Sequence, residues 1–274
     1  MDLTTIIGLI AALGTVIVVM ILDGGSPLEL FSAPAAILLI FSGSLSATIV
    51  TVSMKTLMLL PKFTVKAFTN KAFDAAGTID LLAKLADKAR RDGLLGLEED
   101  SKKIDDKFLQ KGIMMIVDGV DPDQVASIME TGIEQMRARH KAGINFFASA
   151  GGFAPTFGIL GTVMGLINVL KKLDDPGALG PAIASAFLAT LWGLLSANLI
   201  FLPLSGKLKA KDEEEARDRT MMLEGILSIQ AGENPRIVRD KLTAYLPPSE
   251  IKGEGQDAKG AEKKPAGKAE KAKA

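Results

Sequence analysis

Two threonines and two prolines are the residues best placed to do chemistry in this 274-residue chain: Pro155, Thr162, Thr190 and Pro203. They lie in apolar segments, where an unmet backbone group costs several kcal/mol and a helix-breaker has to be tolerated for a reason. Each proline frees a carbonyl one turn earlier and can bend its helix. Each threonine offers a neutral hydroxyl able to line a damp, close-fitting surface. Gly161 and Gly165 stand four residues apart, a spacing of small residues that lets a neighbouring helix approach closely.

What is missing around these residues is an acid. The apolar segments contain no Asp, Glu, Lys, Arg or His in their interiors, although a proton or cation pathway usually declares itself by such a group. The chain therefore cannot by itself hold and release a charged ion in mid-membrane. Two readings stay open at this point. The segments passively anchor a cytoplasmic domain, or they form half a site whose carboxylate arrives on a partner helix. Ordinary helix packing also accounts for Gly, Pro, Ser and Thr in such segments.

These residues must be positioned by membrane helices. Four stretches are apolar and long enough for a bilayer, about 20 residues each: 4–22, 33–54, 146–170 and 181–204. Met1-Asp2-Leu3 lacks the basic start of a secretory signal, so the first stretch reads as a retained helix. The loop DGGSPLELFS (Asp23–Ser32) has no Lys or Arg, whereas residues 55–145 have fifteen. Basic loops stay inside, which places both termini in the cytoplasm; Lys171 and Lys172 in the third loop stand on the opposite side. The expected fold is all-α: a polytopic membrane protein with four transmembrane helices and a large helical cytoplasmic loop. Its divisions are a transmembrane hairpin at 1–54, a cytoplasmic helical loop at 55–145, two further transmembrane helices at 146–204, C-terminal cytoplasmic helices at 205–250 and a disordered Lys/Ala-rich tail at 251–274.

Within the large loop, IDLLAKLADKARRDG has helical spacing and stops at Gly93, and DPDQVASIMETGIEQMRARH starts a second helix with Asp121 as cap and Pro122 in its first turn. That helix is expected to cross Gly143 and continue into the third membrane segment. The C-terminal region reads as two helices parted at Gly232–Pro235.

Composition excludes several function classes. Thirty-two basic residues balance thirty-two acidic ones, and there is one Trp and one Tyr, so nothing draws the chain toward nucleic acid. Absent cysteine, no thiolate nucleophile or Cys-based metal site exists. The DGVDPD stretch lacks the glycine and the terminal Glu of a calcium loop. There is no Walker loop and no nucleophile–base pair in a local motif, so the chain does not read as an enzyme, and no cofactor or metal is expected. His140, the only histidine, lies in the basic run RARHK and reads as a juxtamembrane charge.

Four segments together resemble one family: APTFGILGTVMGLI, LATLWGLL…LP, ARRDGLLGLEED and EGILSIQAGENPRIVRDKLTAYLPP. The chain resembles the A subunit of the bacterial flagellar motor stator (MotA and its sodium-type relative PomA), and more distantly the ExbB and TolQ energisers. That resemblance implies a homopentamer around a dimer of B-type subunits (MotB/PomB-like), each supplying a membrane Asp. H⁺ or Na⁺ flow then becomes torque on the rotor switch protein FliG, in the bacterial inner membrane. By the same resemblance Pro155, Pro203, Thr190 and Thr162 belong to the ion path and its gating, Thr162 falling where sodium-type members carry threonine. Arg90 and Glu98 fall on rotor-contact positions, with Arg91, Glu99 and Asp100 able to share that task. An ExbB/TolQ-like proton-channel energiser and a non-conducting membrane scaffold are the alternatives.

Overall fold

The computed structural model describes residues 3–69 and 73–247, and all regular structure among them is helical. The tail expected at 251–274 lies outside the described residues. In chain order the helices are α1 (Leu3–Leu22), α2 (Pro34–Val50), α3 (Met54–Phe68), α4 (Ala75–Asp92), α5 (Glu98–Ser101), α6 (Lys107–Val117), α7 (Pro122–Leu170), α8 (Pro176–Leu195), α9 (Leu202–Gln230) and α10 (Pro235–Thr243). Three helical stretches are long and apolar enough to cross a membrane, namely Leu3–Leu22, Pro122–Leu170 and Pro176–Gln230, and α2 is a shorter apolar helix.

Two boundaries differ from the hydropathy reading, and capping explains both. The second apolar stretch does not run to residue 54. It ends at Val50, and Ser53 opens α3 by accepting the Thr56 N–H on its hydroxyl. Hydropathy passes over this break because Val52 and Met54 on either side of the cap are apolar. The last apolar helix starts five residues before Pro181: Asp175 caps it through the Gly177 N–H, Pro176 takes the first position where its missing donor costs nothing, and Pro181 falls inside the helix.

The chain divides into two compact units, Met1–Ala72 with Glu134–Ala216 and Phe73–Ile133 with Arg217–Ala274. The division follows packing rather than hydropathy, so it cuts across α7 and α9. In the first unit Ile40, Phe146, Phe147, Ala150, Ala154, Ala197, Phe201, Leu204 and Leu208 form the buried cluster. In the second, α4, α6 and α10 enclose a core of Leu82, Leu97, Ile113, Ile116, Val125, Met129, Ile226 and Leu242. Helix α6 is absent from the sequence reading. Asp106 starts it by accepting the Phe108 and Leu109 N–H groups, and its buried Leu109, Gly112, Ile113, Ile116 stripe has ordinary helical spacing.

Gly93, Gly119 and Gly232 end α4, α6 and α9 with positive φ, a conformation that side chains disfavour. The DGVDPD stretch is thus a turn between two helices. Its Asp121 accepts the Asp123 N–H at 2.9 Å and opens α7, which continues unbroken through Gly143 and Pro155.

Candidate ion-path surface

Helices α7 and α8 meet through matching stripes of small residues. Gly158, Gly161 and Gly165 on α7 face Gly193, Ala189 and Ala186 on α8, in antiparallel register. The approach is close enough that a Cβ added to Gly193 would lie 2.9 Å from the Ala154 carbonyl oxygen and 2.9 Å from the Gly158 Cα. One added to Gly161 would lie 2.8 Å from the Ala189 Cβ. The neighbour that Gly161 and Gly165 admit is thus α8 of the same chain. Gly158 and Gly193 extend the contact by a turn, and the identical three-then-four spacing of the two stripes was the available signal.

That approach brings Thr162 and Thr190 together: their hydroxyls hydrogen-bond directly across the interface. The Thr162 oxygen also lies 3.1 Å from the carbonyls of Gly158 and Ala186. A hydroxyl carries one proton and two acceptor lone pairs. When Thr162 donates to a carbonyl, Thr190 donates to Thr162 and keeps its own lone pairs for a visitor. Both threonines are half-buried. Beside them α7 exposes Ile159, Val163, Leu166 and Ile167, and α8 exposes Ile183 and Phe187. The result is an uncharged, oxygen-bearing seam at the edge of a wide apolar face.

The two prolines do not join them equally. Pro155 is half-buried one and two turns before Ile159 and Thr162 on the same side of α7, and the helix continues through it. Pro203 is exposed and lines a groove with Thr4, Gly8 and Ala12 of α1. Ahead of it the chain widens into a π-turn, Ser196–Phe201. A proline ring collides with the carbonyl four residues before it and supplies no N–H. The wider turn absorbs both defects, and such insertions are frequent at functional sites.

One residue the sequence reading passed over holds this region together. The Trp192 indole N–H donates to the Leu30 carbonyl at 2.7 Å, and its ring packs against Phe31 and Phe41. This ties the 3₁₀ turn Pro27–Phe31 to α8, two residues after Thr190. Ser26 and Glu29 close that turn reciprocally as a capping box. A single Trp in an apolar segment must find an acceptor for its N–H, and that was the clue.

The charged group lies in the other unit. Arg90 and Arg91 end α4, and Glu98, Glu99 and Asp100 begin α5 after a tight turn whose Leu97 is fully buried. Arg90, Arg91, Glu98 and Glu99 are exposed. Arg90 and Glu99 form no ion pair among the described residues, while Arg91 pairs with Asp87 and Glu98 with Lys102, each at 2.8 Å. Asp100 is engaged internally, accepting from Lys88 at 2.6 Å. The Lys88 hydrogen bond holds the Asp100 carboxyl below its usual range, and Lys88 is raised in turn. The Lys102 hydrogen bond does the same for Glu98. No group of His, Asp or Glu suited to a metal occurs among the described residues.

The long apolar helices of this membrane protein thus carry a close-packed, acid-free seam that bears two hydroxyls. Residues 100–221 match the model of the MotA/TolQ/ExbB proton channel family, and residues 6–93 match that of the motility protein A N-terminal region. The chain is 40% identical to "Motility protein A" of Bacillus subtilis over 251 residues, 90% of this chain and 92% of that one. It is 38% identical to "Chemotaxis protein PomA" of Vibrio alginolyticus over 246 residues, 90% of this chain and 96% of that one. The solved flagellar MotAB stator complex from Bacillus subtilis contains a chain that superposes with a TM-score of 0.86 at 38% identity, covering 91% of this chain and 98% of that one.

The chain belongs to the MotA/TolQ/ExbB proton channel family, on its MotA/PomA side: it is a multi-pass membrane protein and a flagellar stator A subunit. The match over residues 6–93 separates it from the ExbB and TolQ energisers.

Proposed function

We propose that this chain forms one wall of an ion path whose titrating carboxylate is supplied by a B-type (MotB/PomB-like) subunit, and that ion passage drives torque. The observation that carries the proposal is the Thr162–Thr190 hydroxyl pair at the edge of an apolar surface free of charged residues. A fixed charge there would bias the partner's Asp toward one protonation state, whereas a cycle needs both within reach. Neutral hydroxyls solvate the ion without that bias. They suit H⁺ or Na⁺, the latter because hard cations prefer oxygen. The solved relative described as a MotAB stator complex supports the partnership.

In this reading α2 spans as well, giving four crossings: its 17 residues cover about 26 Å at 1.5 Å per residue, close to the hydrocarbon thickness. The chain sits in the bacterial inner membrane with both termini cytoplasmic, an orientation that the fifteen basic residues of 55–145 support. Five copies surround two B subunits. Pro155 and Pro203, the latter with its π-turn, serve gating. Exposed Arg90, Glu98 and their neighbours meet complementary charges on the rotor protein FliG, a contact that favours orientation and encounter rate and so can be made and broken. Vesicles holding this chain with a B-type partner should conduct H⁺ or Na⁺, and Thr190→Val should lower that conductance at least about tenfold, the scale of one lost charge-assisted hydrogen bond. Current through this chain alone, or an unaffected Thr190→Val, would overturn the shared site. Repeating the measurement with K⁺ for Na⁺ at fixed pH identifies the ion.

A further inference from the structure

His140 is not a solvated charge. Its side chain is 18% exposed and wedged between α3 and α9, where it bridges charged groups on both. The imidazole Nδ1 lies 2.7 Å from Asp212 Oδ1, and Nε2 lies 3.2 Å from the Lys66 ammonium. Lys66 also donates to Glu215 at 2.8 Å, and Arg137 Nε to the second Asp212 oxygen at 3.3 Å. Lys211 donates to the carbonyls of Lys66, Ala67 and Thr69, filling the open end of α3. Phe63 and Leu208 close the remaining sides of a cavity of about 10 Å³, at the lower limit for a single water.

The donors dictate the imidazole's state. An ammonium has only hydrogens to offer, so Nε2 must accept and the ring proton must sit on Nδ1, facing Asp212. The arrangement is complete only with His140 neutral. A proton added to Nε2 would point at a positive charge 3.2 Å away and end that hydrogen bond. The nearest carboxylate oxygen on that side, Glu215 Oε2 at 3.9 Å from Nε2, already accepts from Lys66 at 2.8 Å, so a proton on Nε2 would compete with Lys66 for it.

We propose that His140 is a proton-operated latch, which when neutral ties α3 to α7 and α9 and when protonated on Nε2 repels Lys66 and loosens the C-terminal turn of α3. The latch is separate from the Thr162–Thr190 seam and does not depend on which ion that seam passes. Its sign follows from linkage. The latched form binds one proton fewer than the released one, so raising the pH favours latching and acidification favours release.

The chain's single histidine makes the test direct. The full chain, labelled with ¹⁵N-histidine and held in lipid bilayers, gives one pair of imidazole signals. At about pH 8 these should report the Nδ1–H tautomer, and on acidification the doubly protonated ring. Hydrogen exchange at Lys66–Thr69, corrected for its intrinsic pH dependence, should rise about tenfold in step with that titration, as for a local opening. In His140→Asn, whose amide reaches Asp212 but does not titrate, exchange in α3 should not vary with pH. In His140→Lys it should be fast throughout. An Nε2–H tautomer at pH 8, or titration of the ring with no change in α3, overturns the latch. Both measurements are made on the unmodified chain, so a variant that fails to assemble leaves the decision intact.

Discussion

Replacing Gly193 by Ala tests the physical basis of the α7–α8 seam. The new methyl would stand 2.9 Å from the Ala154 carbonyl oxygen and from the Gly158 Cα, and neither atom can rotate away because both are backbone. An ordinary contact needs about 3.5 Å, so the helices must part locally by roughly 0.6 Å. Overpacking of this kind costs about 1–3 kcal/mol. Helix propensity works the other way, since Ala is favoured over Gly by up to about 1 kcal/mol. Gly152→Ala isolates the two effects: it lies on the same pair of helices, but a Cβ there meets nothing within 4 Å. The difference between the variants is therefore the strain alone, about 1–3 kcal/mol. Thermal unfolding of the two proteins in the same detergent reads it as a lower midpoint for Gly193→Ala. The same separation pulls Thr162 from Thr190, so conductance with a B-type partner should fall in Gly193→Ala and persist in Gly152→Ala. If the two variants melted together and conducted equally, the seam would not be set by backbone contact and the reasoning would fail.

Two further outcomes follow from the structure. Trp192→Phe keeps a ring against Phe31 and Phe41 but leaves the Leu30 carbonyl without its donor; about 1–3 kcal/mol should be lost, with faster hydrogen exchange confined to Pro27–Ser32, and unchanged exchange there would show that water replaces the indole. Asp100 and Glu98 are held below the usual carboxylate range by Lys88 and Lys102, so their stabilisation is present above that range and disappears as pH falls through the depressed one. Melting of the full chain should show no pH dependence from these two between about pH 6 and 8, where their contribution is complete, a point checked by comparing Asp100→Asn with the unmodified chain across pH: the gap between them should be constant there and close only in strong acid.

Much of the architecture was legible locally. Apolar length marked the membrane helices, Asp121-Pro122 marked where α7 begins, because a cap is a short-range hydrogen bond written in neighbouring residues, and the break at Gly232–Pro235 parted α9 from α10. Gly93 and Gly232 marked the helix ends for the same reason. Helix α6 escaped notice although its stripe is regular, since eleven residues in a charged loop compete weakly with long apolar runs. The break at Thr51–Ser53 escaped because hydropathy averages over a cap. The π-turn before Pro203 was half legible: the proline announced a defect, but the way a helix absorbs it depends on the packing on either side.

The sequence by itself determined that this chain is helical, membrane-embedded and free of charge where it crosses, because composition and periodicity along one chain suffice for that. It determined too that any titrating acid in the membrane must come from elsewhere. Only the tertiary structure decided which hydroxyls meet, that Asp100 is spent on Lys88 while Arg90 has no ion partner among the described residues, and that His140 is enclosed between Lys66 and Asp212. Those pairs are separated by 12 to 74 positions. A contact between distant residues is set by how helices pack, and packing energies are summed over surfaces that no single stretch of residues contains.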